Sequence, residues 1–530
     1  MIIAVIPAKG DSKRLPSKNL LRINGKSLIE YAVKYAEKSS KVDSIFVSTD
    51  SKEISAHARQ LGVGVIMRGK ELGDETPLID VYRHAFEMIG NDAITHIVGI
   101  QPDNPDRKTD IDKAIDYAIN KKIDNLFTVD AHGQRNGAIN IMNLNALKAK
   151  PFVYASSVRD DCTNIHSKLD FLFACRNLSE FTDTIHLENR SIGLHRPTFI
   201  VAEAACNHMC RMDLAKKMID KAAEAGADAI KFQTYKAEKL VTGNAVAFWG
   251  TEKISQLVYY RRLDRFGKKE YSELFEHAKD KGIIAFSSPF DDESTDMLAE
   301  LDMPVFKIAS CDIPNLHHLR HVADKGKPIM LSTGASTLEE IDKAIETIFE
   351  QGNFQLMLLA CTLCYPTKYP DANFLRIRTL KERYPGMIVG LSDHTEPDTH
   401  MVIPSVAVGM GAGIIEKHYT LDRTLTGSGH FFAVNPDDLK KMVDNIRLSE
   451  SVMGDGRIGV AESEKKAWES ARRSIVARVL IKKGDLIDSE MLSLKRPAGG
   501  LPANMLEKVI GKRAKMVIEP DQKIALEMLK

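Results

Sequence analysis

The second half of the chain contains polar residues that directly follow short apolar runs, and their types suit phosphate and metal chemistry. The set consists of Glu203, Lys231, Gln233, Lys307, Ser310, Ser332, Ser392, His394, Glu416 and His418. Ammonium and hydroxyl groups donate well to phosphate oxygens. Two imidazoles suit a divalent metal ion that polarises a carbonyl. Each residue alone is equally well explained as an ordinary polar strand end, so the prediction of one phosphate- and carbonyl-binding site depends on the whole set.

The apolar runs that precede these residues predict the fold that would bring them together. There are eight, namely TFIVAEA, AIKFQTY, GIIAFSSP, PVFKIAS, PIMLSTG, FQLMLLACT, MIVGLSDH and AGIIEKHYT. Most are separated by helix-like segments such as DLAKKMIDKAAEAGA. Eight β/α units in about 250 residues are typical of a TIM barrel, whose strands all end at one face. We therefore expect the polar strand ends to meet at the barrel mouth.

The flanking sequences predict two further domains in an α/β protein. Residues 1 to 180 alternate apolar runs with amphipathic stretches, which predicts a doubly wound, mostly parallel sheet with helices on both faces. From Ser474, short β-like runs with glycine and proline turns predict a small β-rich domain. The predicted boundaries are 1–180 for the first domain, 181–196 for a linker, 197–455 for the barrel, 456–472 for a second linker and 473–530 for the last domain.

Composition excludes several classes of protein. The 530 residues are 44% hydrophobic and 27% charged, with a formal charge of +1, which gives no basic field for nucleic acid. No apolar run reaches the roughly 18 residues of a membrane span, and the opening MIIAVIPAKG is too short for a signal peptide. Seven cysteines, an odd number, predict reduced thiols rather than a disulfide framework. A cytoplasmic protein is expected.

The stretch IPAKGDSKRLPSKNL follows the first predicted strand, where a doubly wound sheet places a nucleotide-phosphate loop. It lacks the Walker A and G-x-G-x-x-G spacings. Its cations would neutralise a triphosphate, and the alternative is a basic loop on a solvated surface. The residues concerned are Lys9, Gly10, Ser12, Lys13, Arg14 and Lys18.

Eight motifs, in order, resemble the N-acetylneuraminate (sialic acid) synthase family. They are FIVAEAACNH, GADAIKFQTY, FSSPFD, FKIAS, LSTGAS, YPTKYP, GLSDHT and IIEKHYTLD. The terminal section resembles that family's antifreeze-like SAF domain, which has a β-clip fold, and the resemblance covers about residues 195–530. It implies an enzyme that condenses phosphoenolpyruvate with the open-chain aldehyde of an N-acetylhexosamine, releases phosphate and forms a nine-carbon 2-keto-3-deoxy acid.

The same resemblance implies roles for individual residues. Phosphoenolpyruvate would be held by Lys231, Lys307, Ser310, Ser332 and Ser392. His394 and His418 would bind Mn²⁺ or a similar divalent ion and act in catalysis with Glu203 and Glu416. The sugar would contact Gln233, Asp312, Tyr365 and Arg496. Arg496 matches an SAF arginine that reaches the partner subunit's active site, so a homodimer with exchanged SAF domains is implied, and higher assembly is left open.

The first section resembles the CMP-sialic acid synthetase (acylneuraminate cytidylyltransferase) family over about residues 1–178. The opening follows the signature I-P-A-R-x-G-S-K-x-x-x-x-K-N approximately, and VSTDSKEI, MRGKELGDETPLIDV, QPDNP, NGAINI and KLDFLFA agree further. By this resemblance CTP, with Mg²⁺, would be bound by Lys9, Ser12, Lys13, Lys18, Asn19 and Arg68, and the sugar acid by Gln101. One half would make the acid and the other would activate it with CMP.

Both halves depart from their families. In the barrel, Met209-Cys210 replaces Asn-Gly, Asp312 is a shorter acid, and Gly429 replaces an aspartate that grips a sugar hydroxyl, which leaves the acceptor open. In the first domain, Asn164 and His166 replace two metal-binding aspartates. Mg²⁺ prefers oxygen ligands, so either Asp160 or Asp161 substitutes, or the domain is slow, uses another metal ion or only binds nucleotide.

Three alternatives remain open at the level of sequence. In the first alternative, the N-terminal domain binds nucleotide without catalysis, as a regulatory or assembly element. The barrel would make a different ulosonic acid, as Kdo-8-phosphate synthases do, although those lack an SAF domain. A zinc–thiolate site would form from Cys206, Cys210, Cys311 and Cys364, against the simpler explanation that these are small buried residues.

Overall fold

The computed structural model describes residues 1–12, 14–69, 72, 76–148, 154–179, 183–193, 195–247, 254–427 and 429–530. Of the predicted site residues, only Lys13 lies outside the described residues. The chain divides into two compact units, Met1–Ser451 and Val452–Lys530. The first unit contains both the N-terminal domain and the barrel.

A seven-stranded sheet forms the centre of the N-terminal domain. Its strands are β1 (Ile2–Pro7), β4 (Ser44–Thr49), β5 (Gly64–Met67), β6 (His96–Gly99), β7 (Asn125–Val129), β8 (Arg135–Asn143) and β9 (Ala155–Arg159), and a small ribbon comprises β2 (Arg22–Ile23) and β3 (Lys26–Ser27). The strand order in the sheet is β5-β4-β1-β6-β8-β7-β9. The helices are α1 (Leu28–Glu37), α2 (Lys52–Gln60), α3 (Leu78–Ile89), α4 (Ile111–Asn120), α5 (Leu144–Lys148) and α6 (Lys168–Asn177). Strand β8 runs antiparallel to β6 and β7, and the other pairs are parallel, so the mostly parallel sheet is confirmed.

Strand β1 shows why this sheet is covered on both faces. Successive side chains of a strand point to opposite faces. Ala4 and Ile6 belong to one apolar cluster, with residues of α1, α2 and α4, whereas Ile3 and Val5 belong to another, with residues of α3 and α5. An uninterrupted apolar run such as IIAVI is therefore the sequence pattern of a strand buried on both sides.

The predicted eight-stranded parallel barrel is confirmed, and it closes by pairing its last strand with its first. Its strands are β12 (Phe199–Ala205), β13 (Ala229–Thr234), β14 (Ile284–Pro289), β15 (Phe306–Ile308), β16 (Ile329–Ser332), β17 (Leu356–Cys361), β18 (Ile388–Asp393) and β19 (Ile414–His418). Its helices are α7 (Met212–Ala225), α8 (Ala237–Leu240), α9 (Gln256–Arg261), α10 (Lys268–Asp280), α11 (Asp292–Glu300), α12 (Leu316–Ala323), α13 (Leu338–Glu350), α14 (Arg376–Arg383), α15 (Ile403–Gly409) and α16 (Pro436–Met453). Each strand corresponds to one apolar run, and all the polar strand ends lie at one face.

The end of the N-terminal domain packs directly on the barrel. The segment predicted as the linker 181–196 contains a β-hairpin of β10 (Thr184–Leu187) and β11 (Arg190–Gly193). Side chains of α6 and of this hairpin belong to the apolar core of the barrel; they are Leu169, Leu172, Phe173, Ile185, Leu187 and Ile192. The ring of Phe173 stacks on Tyr384 with 6.2 Å between centroids. These short apolar groups are too few to predict such an interface from sequence.

The C-terminal unit is a small β-rich domain, as predicted. Strands β20 (Ser474–Ala477) and β21 (Leu492–Lys495) pair antiparallel, and α17 (Lys465–Ala471) and α18 (Leu506–Val509) are short. Its own apolar core includes Ile475, Ile481, Ile487, Ile518 and Ile524.

Two whole-chain features concern the cysteines and the helices. None of the seven cysteines forms a disulfide. Across the part of the chain that the structure describes, no helix is both long enough and apolar enough to cross a membrane.

Candidate active site

Four charged side chains from four barrel strands meet inside the barrel, and all four are buried. They are Glu203, Lys231, Lys307 and Glu416. Lys231 forms an ion pair with Glu203, and its Nζ lies 3.6 Å from Glu416 Oε1. Lys307 Nζ lies 3.8 Å from the same oxygen. The hydroxyl of Ser392 donates to Glu416 Oε1 at 2.9 Å. The structure thus places three predicted residues around the Glu416 carboxylate and a fourth, Glu203, on the far side of Lys231.

The two carboxylates of this cluster have different acidities. Burial raises the pKa of Glu203 to about 7, against the lowering effect of the Lys231 charge. Burial acts on Glu416 in the same direction, but the charges of Lys231 and Lys307 outweigh it and hold its pKa below the ordinary value. Carboxyl groups whose pKa values are separated in this way can serve different purposes, one as a proton carrier near neutral pH and one as a fixed charge.

Several buried polar atoms at the strand ends have no hydrogen-bond partner among the described residues. They are Glu203 Oε1, Glu416 Oε2, Ser332 Oγ and His418 Nδ1. Because an unsatisfied buried polar group is costly, native proteins rarely leave one without a ligand or water. The cluster is therefore suited to a polar ligand.

The two predicted metal ligands lie side by side, with 5.2 Å between the ring centroids of His394 and His418. The Nδ1 of His394 lies 2.9 Å from the carbonyl oxygen of Thr362, which fixes the tautomer that leaves Nε2 unprotonated. Burial lowers the pKa of His418 well below its ordinary value, so its imidazole is neutral. Tyr365 packs on His394 at 4.3 Å between ring centroids.

These two imidazoles fit a divalent ion. His418 is neutral, and its buried Nδ1 has no partner in the described structure, while the Nδ1 of His394 is held by a carbonyl. Burial acts to lower the pKa of His394, but the neighbouring Cys361 outweighs it and raises that pKa. Within the described ranges no group of three or more histidine, cysteine or carboxylate side chains could hold a metal, so the remaining ligands would come from substrate or water. The alternative zinc–thiolate site is therefore wrong for the described residues, which include all four cysteines.

Behind the histidines lies a buried ion pair that the sequence analysis missed. Lys417, between Glu416 and His418, points to the opposite side of its strand and donates to Asp393 at 2.7 Å and to the carbonyl of Thr395 at 2.8 Å. Asp393 also accepts the Thr395 N–H at 2.8 Å. Because these residues adjoin His394 and His418, the pair fixes the spacing of the two strand ends.

The remaining predicted residues of the barrel have varied surroundings. Ser310 Oγ accepts the Gly334 N–H at 3.0 Å. Asp312 is partly buried, and burial raises the pKa of its carboxyl group. Gln233 is partly buried on β13. Arg496 belongs to the C-terminal unit, where its side chain is exposed, so its role at a partner's site stays a prediction.

Gly429, where the synthase family has aspartate, lies against Asn207. A Cβ at this position would come within 2.5 Å of Asn207 Oδ1. The amide of Asn207 donates to the carbonyls of Tyr419, at 2.9 Å, and Gly429, at 3.2 Å, so it holds the chain that follows His418. The glycine therefore makes room for Asn207.

Replacing Gly429 with alanine is expected to lower the free energy of unfolding by about 1–3 kcal/mol, because Asn207 must shift. The matched control is Gly409→Ala, where an added Cβ meets nothing within 4 Å. Denaturant unfolding of both variants checks this. Equal stability of Gly429→Ala and the wild type would contradict the close packing.

Met209 and Cys210, which replace Asn-Gly, both have left-handed backbone conformations, with φ of 54° and 52°. Glycine adopts this region without strain and asparagine more readily than methionine. The strain lies in the loop after β12, next to Glu203 and Asn207.

Met209→Asn is expected to raise the free energy of unfolding by about 0.5–1 kcal/mol, because a left-handed residue costs roughly 1–2 kcal/mol. Met209→Ala removes the same side chain without that preference and serves as the control. The measurement is the shift in denaturation midpoint. A gain shared by both variants would show that the side chain, not the backbone, is responsible.

In the N-terminal domain, the loop after β1 is held at both ends. Asn19 donates its amide to the Lys9 carbonyl at 2.8 Å, and the Gly10 N–H donates to Asp50 at 2.7 Å. Lys18 donates to Asp103 at 2.6 Å and to the carbonyl of Ile165 at 2.9 Å. Asp103, which the sequence analysis overlooked, thus lies beside the predicted nucleotide loop.

Two further residues predicted for nucleotide binding are partly or largely buried. Ser12 is buried within the loop. Arg68 is partly buried, and burial lowers the pKa of its guanidinium, against the opposing effect of Asp50.

A cavity of about 880 Å³ lies in the same domain, with Gln101, Arg135, Asn164 and His166 in its walls. Gly137 also lines it, and a Cβ there would come within 2.0 Å of Gln101 Nε2. This close approach explains the glycine of NGAINI. An amide and a cation at one wall suit a carboxylated sugar.

Both predicted substitute aspartates have hydrogen-bond or ion-pair partners in the structure. The carboxylate of Asp160 accepts the backbone N–H groups of Lys108 and Thr109, the latter at 2.9 Å. Asp161 pairs with Arg159 at 2.7 Å. The substitution of one of them for the missing aspartates stays a prediction.

Comparison with known proteins agrees with this geometry. The NeuB family profile matches residues 218–458, the cytidylyltransferase profile matches residues 3–151, and the SAF domain profile matches residues 472–530. N,N'-diacetyllegionaminic acid synthase of Campylobacter jejuni is 38% identical over 336 residues, 62% of this chain and 99% of that protein. Human N-acetylneuraminate-9-phosphate synthase is 32% identical over 345 residues, 64% of this chain and 95% of that protein.

A solved structure agrees as well. The N-acetylneuraminic acid (sialic acid) synthetase of Leptospira borgpetersenii, crystallised with citrate, is 38% identical with a TM-score of 0.50, and the match covers 54% of this chain and 94% of that one. The fold and site thus define a TIM-barrel protein with a lysine, glutamate and histidine cluster at its mouth, flanked by cytidylyltransferase and SAF domains. The chain belongs to the NeuB family.

Proposed function

We propose that the barrel condenses phosphoenolpyruvate with the open-chain aldehyde of an N-acetylated hexosamine and releases phosphate. The observation that carries this proposal is the convergence of Lys231, Lys307 and Glu416 beside the histidine pair. The relatives, which are synthases of sialic, legionaminic and pseudaminic acids, support it. The product would be a nine-carbon 2-keto-3-deoxy acid.

Different residues would bind phosphoenolpyruvate, the metal ion and the sugar. Lys231 and Lys307, with Ser310, Ser332 and Ser392, would bind the phosphate and carboxylate of phosphoenolpyruvate. His394 and His418 would hold Mn²⁺ or a similar ion, which when bound supplies charge stabilisation at the aldehyde oxygen. Gln233, Asp312, Tyr365 and, from a partner subunit, Arg496 would orient the sugar.

Glu203 would donate and accept the protons that the reaction requires. Attack by C3 of phosphoenolpyruvate turns the aldehyde oxygen into a hydroxyl, which gains a proton. Water added at C2 loses a proton before the C–O bond to phosphate breaks. A carboxyl group with a pKa of about 7 can give a proton in the first step and accept one in the second.

For the N-terminal domain, we propose transfer of CMP from CTP to the acid made by the barrel. The family match supports this, as does Asp103 beside Lys18, because Mg²⁺ is often held by one or two carboxylates together with substrate phosphates. The presence of Asn164 and His166 instead of carboxylates favours the second candidate, a domain that binds nucleotide or sugar acid without transfer.

One incubation tests both halves. The full-length protein is mixed with phosphoenolpyruvate, CTP, Mn²⁺ and Mg²⁺ and with a panel of mono- and diacetamido hexoses, free and phosphorylated, and the products are read by mass spectrometry. We expect a keto acid and its CMP adduct, neither of which forms when phosphoenolpyruvate is omitted. No keto acid from any sugar would refute the synthase proposal.

Variants of the N-terminal domain separate its two candidate roles. Asp103→Asn should abolish the CMP adduct and leave the acid, whereas Asp116→Asn, which alters an exposed pair with Lys41, should change neither. If neither the wild type nor Asn164→Asp/His166→Asp forms the adduct, the domain is a binding element.

The assembly and location complete the proposal. We propose a homodimer in which the exposed Arg496 of one SAF domain reaches the partner's barrel, in a cytoplasmic enzyme supplied with phosphoenolpyruvate and CTP. The sedimentation of wild type and Arg496→Ala, together with their sugar KM values, tests the first part.

A further inference from the structure

A cavity of about 680 Å³ lies where the N-terminal domain meets the barrel. Its walls come from α1, from the segment after β6, from the end of α6 and from Pro385 and Gly386 before β18. None of its lining residues belongs to the loop 8–19 or to the cavity around Gln101. It is therefore separate from both sites described above.

Arg107 is the most unusual residue of this cavity. It is buried, with 9% of its surface exposed, and its guanidinium lies over the ring of Tyr35 at 4.9 Å. One terminal nitrogen donates to the Gln101 carbonyl, but Nε and Nη1 are buried and have no partner among the described residues. A buried charged donor without an acceptor costs more than the ~1–3 kcal/mol of a neutral one. An anion in the cavity would remove that cost.

The charged residues that line the cavity also favour an anion as its ligand. Six cationic side chains line it against three carboxylates. Asp183 pairs with Arg176, which is itself one of the six cations, whereas Asp161 pairs with Arg159 outside the cavity, and Asp106 accepts from the backbone and hydroxyl of Thr163. In the described parts of the chain Lys38 and Lys108 have no acidic partner within 4.0 Å. The net charge available to a ligand is positive.

We propose that this cavity binds a phosphoryl anion, independently of the synthase and transfer reactions proposed above. A guanidinium offers fixed, paired donors to phosphate oxygens, and lysines on α1 add mobile ones. Tyr31 and Tyr35 provide rings against which the rest of a small molecule can pack. The volume lies within the range of small-molecule sites. Because both domains line the cavity, its occupant contacts both.

Isothermal titration of the protein with pyrophosphate tests the proposal, with other phosphoryl compounds left out because phosphoenolpyruvate would compete for the cavity. CMP is titrated in parallel. If CMP binds at the same residues, the occupant is a nucleotide, and if only pyrophosphate binds there, the occupant is a free anion. The exposed pair Lys34→Ala/Lys38→Ala should weaken one binding event at least tenfold. The nucleotide-loop variant Lys18→Met and the matched exposed pair Lys121→Ala/Lys122→Ala should both retain it.

A second variant tests the buried group. Arg107→Met removes the unpartnered donors while keeping a long side chain, and it should lose the same event. Binding lost in Lys18→Met but kept in Lys34→Ala/Lys38→Ala would place the anion in the nucleotide loop and overturn the proposal. Absence of any such event in the wild type would overturn it as well.

Discussion

Replacing His394 with alanine is expected to slow the proposed condensation by at least roughly 10³-fold while leaving the protein folded, because about 4 kcal/mol of charge stabilisation is lost. The Nδ1 of His394 has two hydrogen-bond partners, the Thr362 carbonyl at 2.9 Å and Cys361 Sγ at 3.8 Å, and the residue directly follows a strand whose core residues stay unchanged. The same change should weaken Mn²⁺ binding, because one of two imidazoles is removed. His418→Ala should behave alike.

Two measurements check this expectation. Mn²⁺ affinity is measured by electron paramagnetic resonance, and the rate is measured as phosphate release. The control is His321→Ala, an imidazole that pairs with Asp296 on the outside of the barrel and should change neither quantity. Wild-type rate in His394→Ala after removal of metal would refute a metal-centred site.

Lys417→Met is expected to lower the free energy of unfolding by about 3–5 kcal/mol, because it leaves the buried carboxylate of Asp393 without its counter-ion. The side chains of both residues are almost fully buried, at 2% and 0% exposure. Since the pair joins the ends of β18 and β19, Mn²⁺ affinity should fall as well, through displacement of the two histidines.

The control for this prediction uses the same residue types at the surface. Lys440→Met breaks an exposed pair with Asp444 and should cost less than about 1 kcal/mol. The double variant Lys417→Met/Asp393→Leu should regain most of the stability, since apolar replacement of a buried pair is often nearly neutral. If it regains stability but not Mn²⁺ affinity, the pair positions the histidines. If Lys417→Met is as stable as the wild type, loss of Lys417 does not leave Asp393 as an unpaired buried charge, and the prediction is wrong.

The barrel and the identities of its strand-end residues were predictable because both are local. Each strand is a short apolar run, and its last residues change to polar types at the position where a barrel strand ends. Glu416 and His418 can be assigned to the mouth from the sequence AGIIEKHYT alone, because alternate residues of a strand share one side. The order of the three domains follows from similar local patterns.

The N-terminal site was predictable only in part. The position of the loop after β1 follows from the sheet, but the proximity of Asp103 to Lys18 joins residues 85 positions apart. The sequence gives no sign that the Asp160 carboxylate accepts backbone N–H groups of another segment, and only the fold shows it. The hairpin after residue 183 is not predictable from the sequence because its four-residue strands carry too little apolar pattern.

By itself, the sequence determined which residues stand at each strand end and therefore which chemistry the mouth can support. The tertiary structure alone decided which charges meet: the separated pKa values of Glu203 and Glu416, the pairing of Lys417 with Asp393 and the cationic cavity between domains. The physical reason is that strand endings depend on neighbours in sequence. Electrostatic interactions depend instead on distances of a few ångströms between segments that only packing brings together.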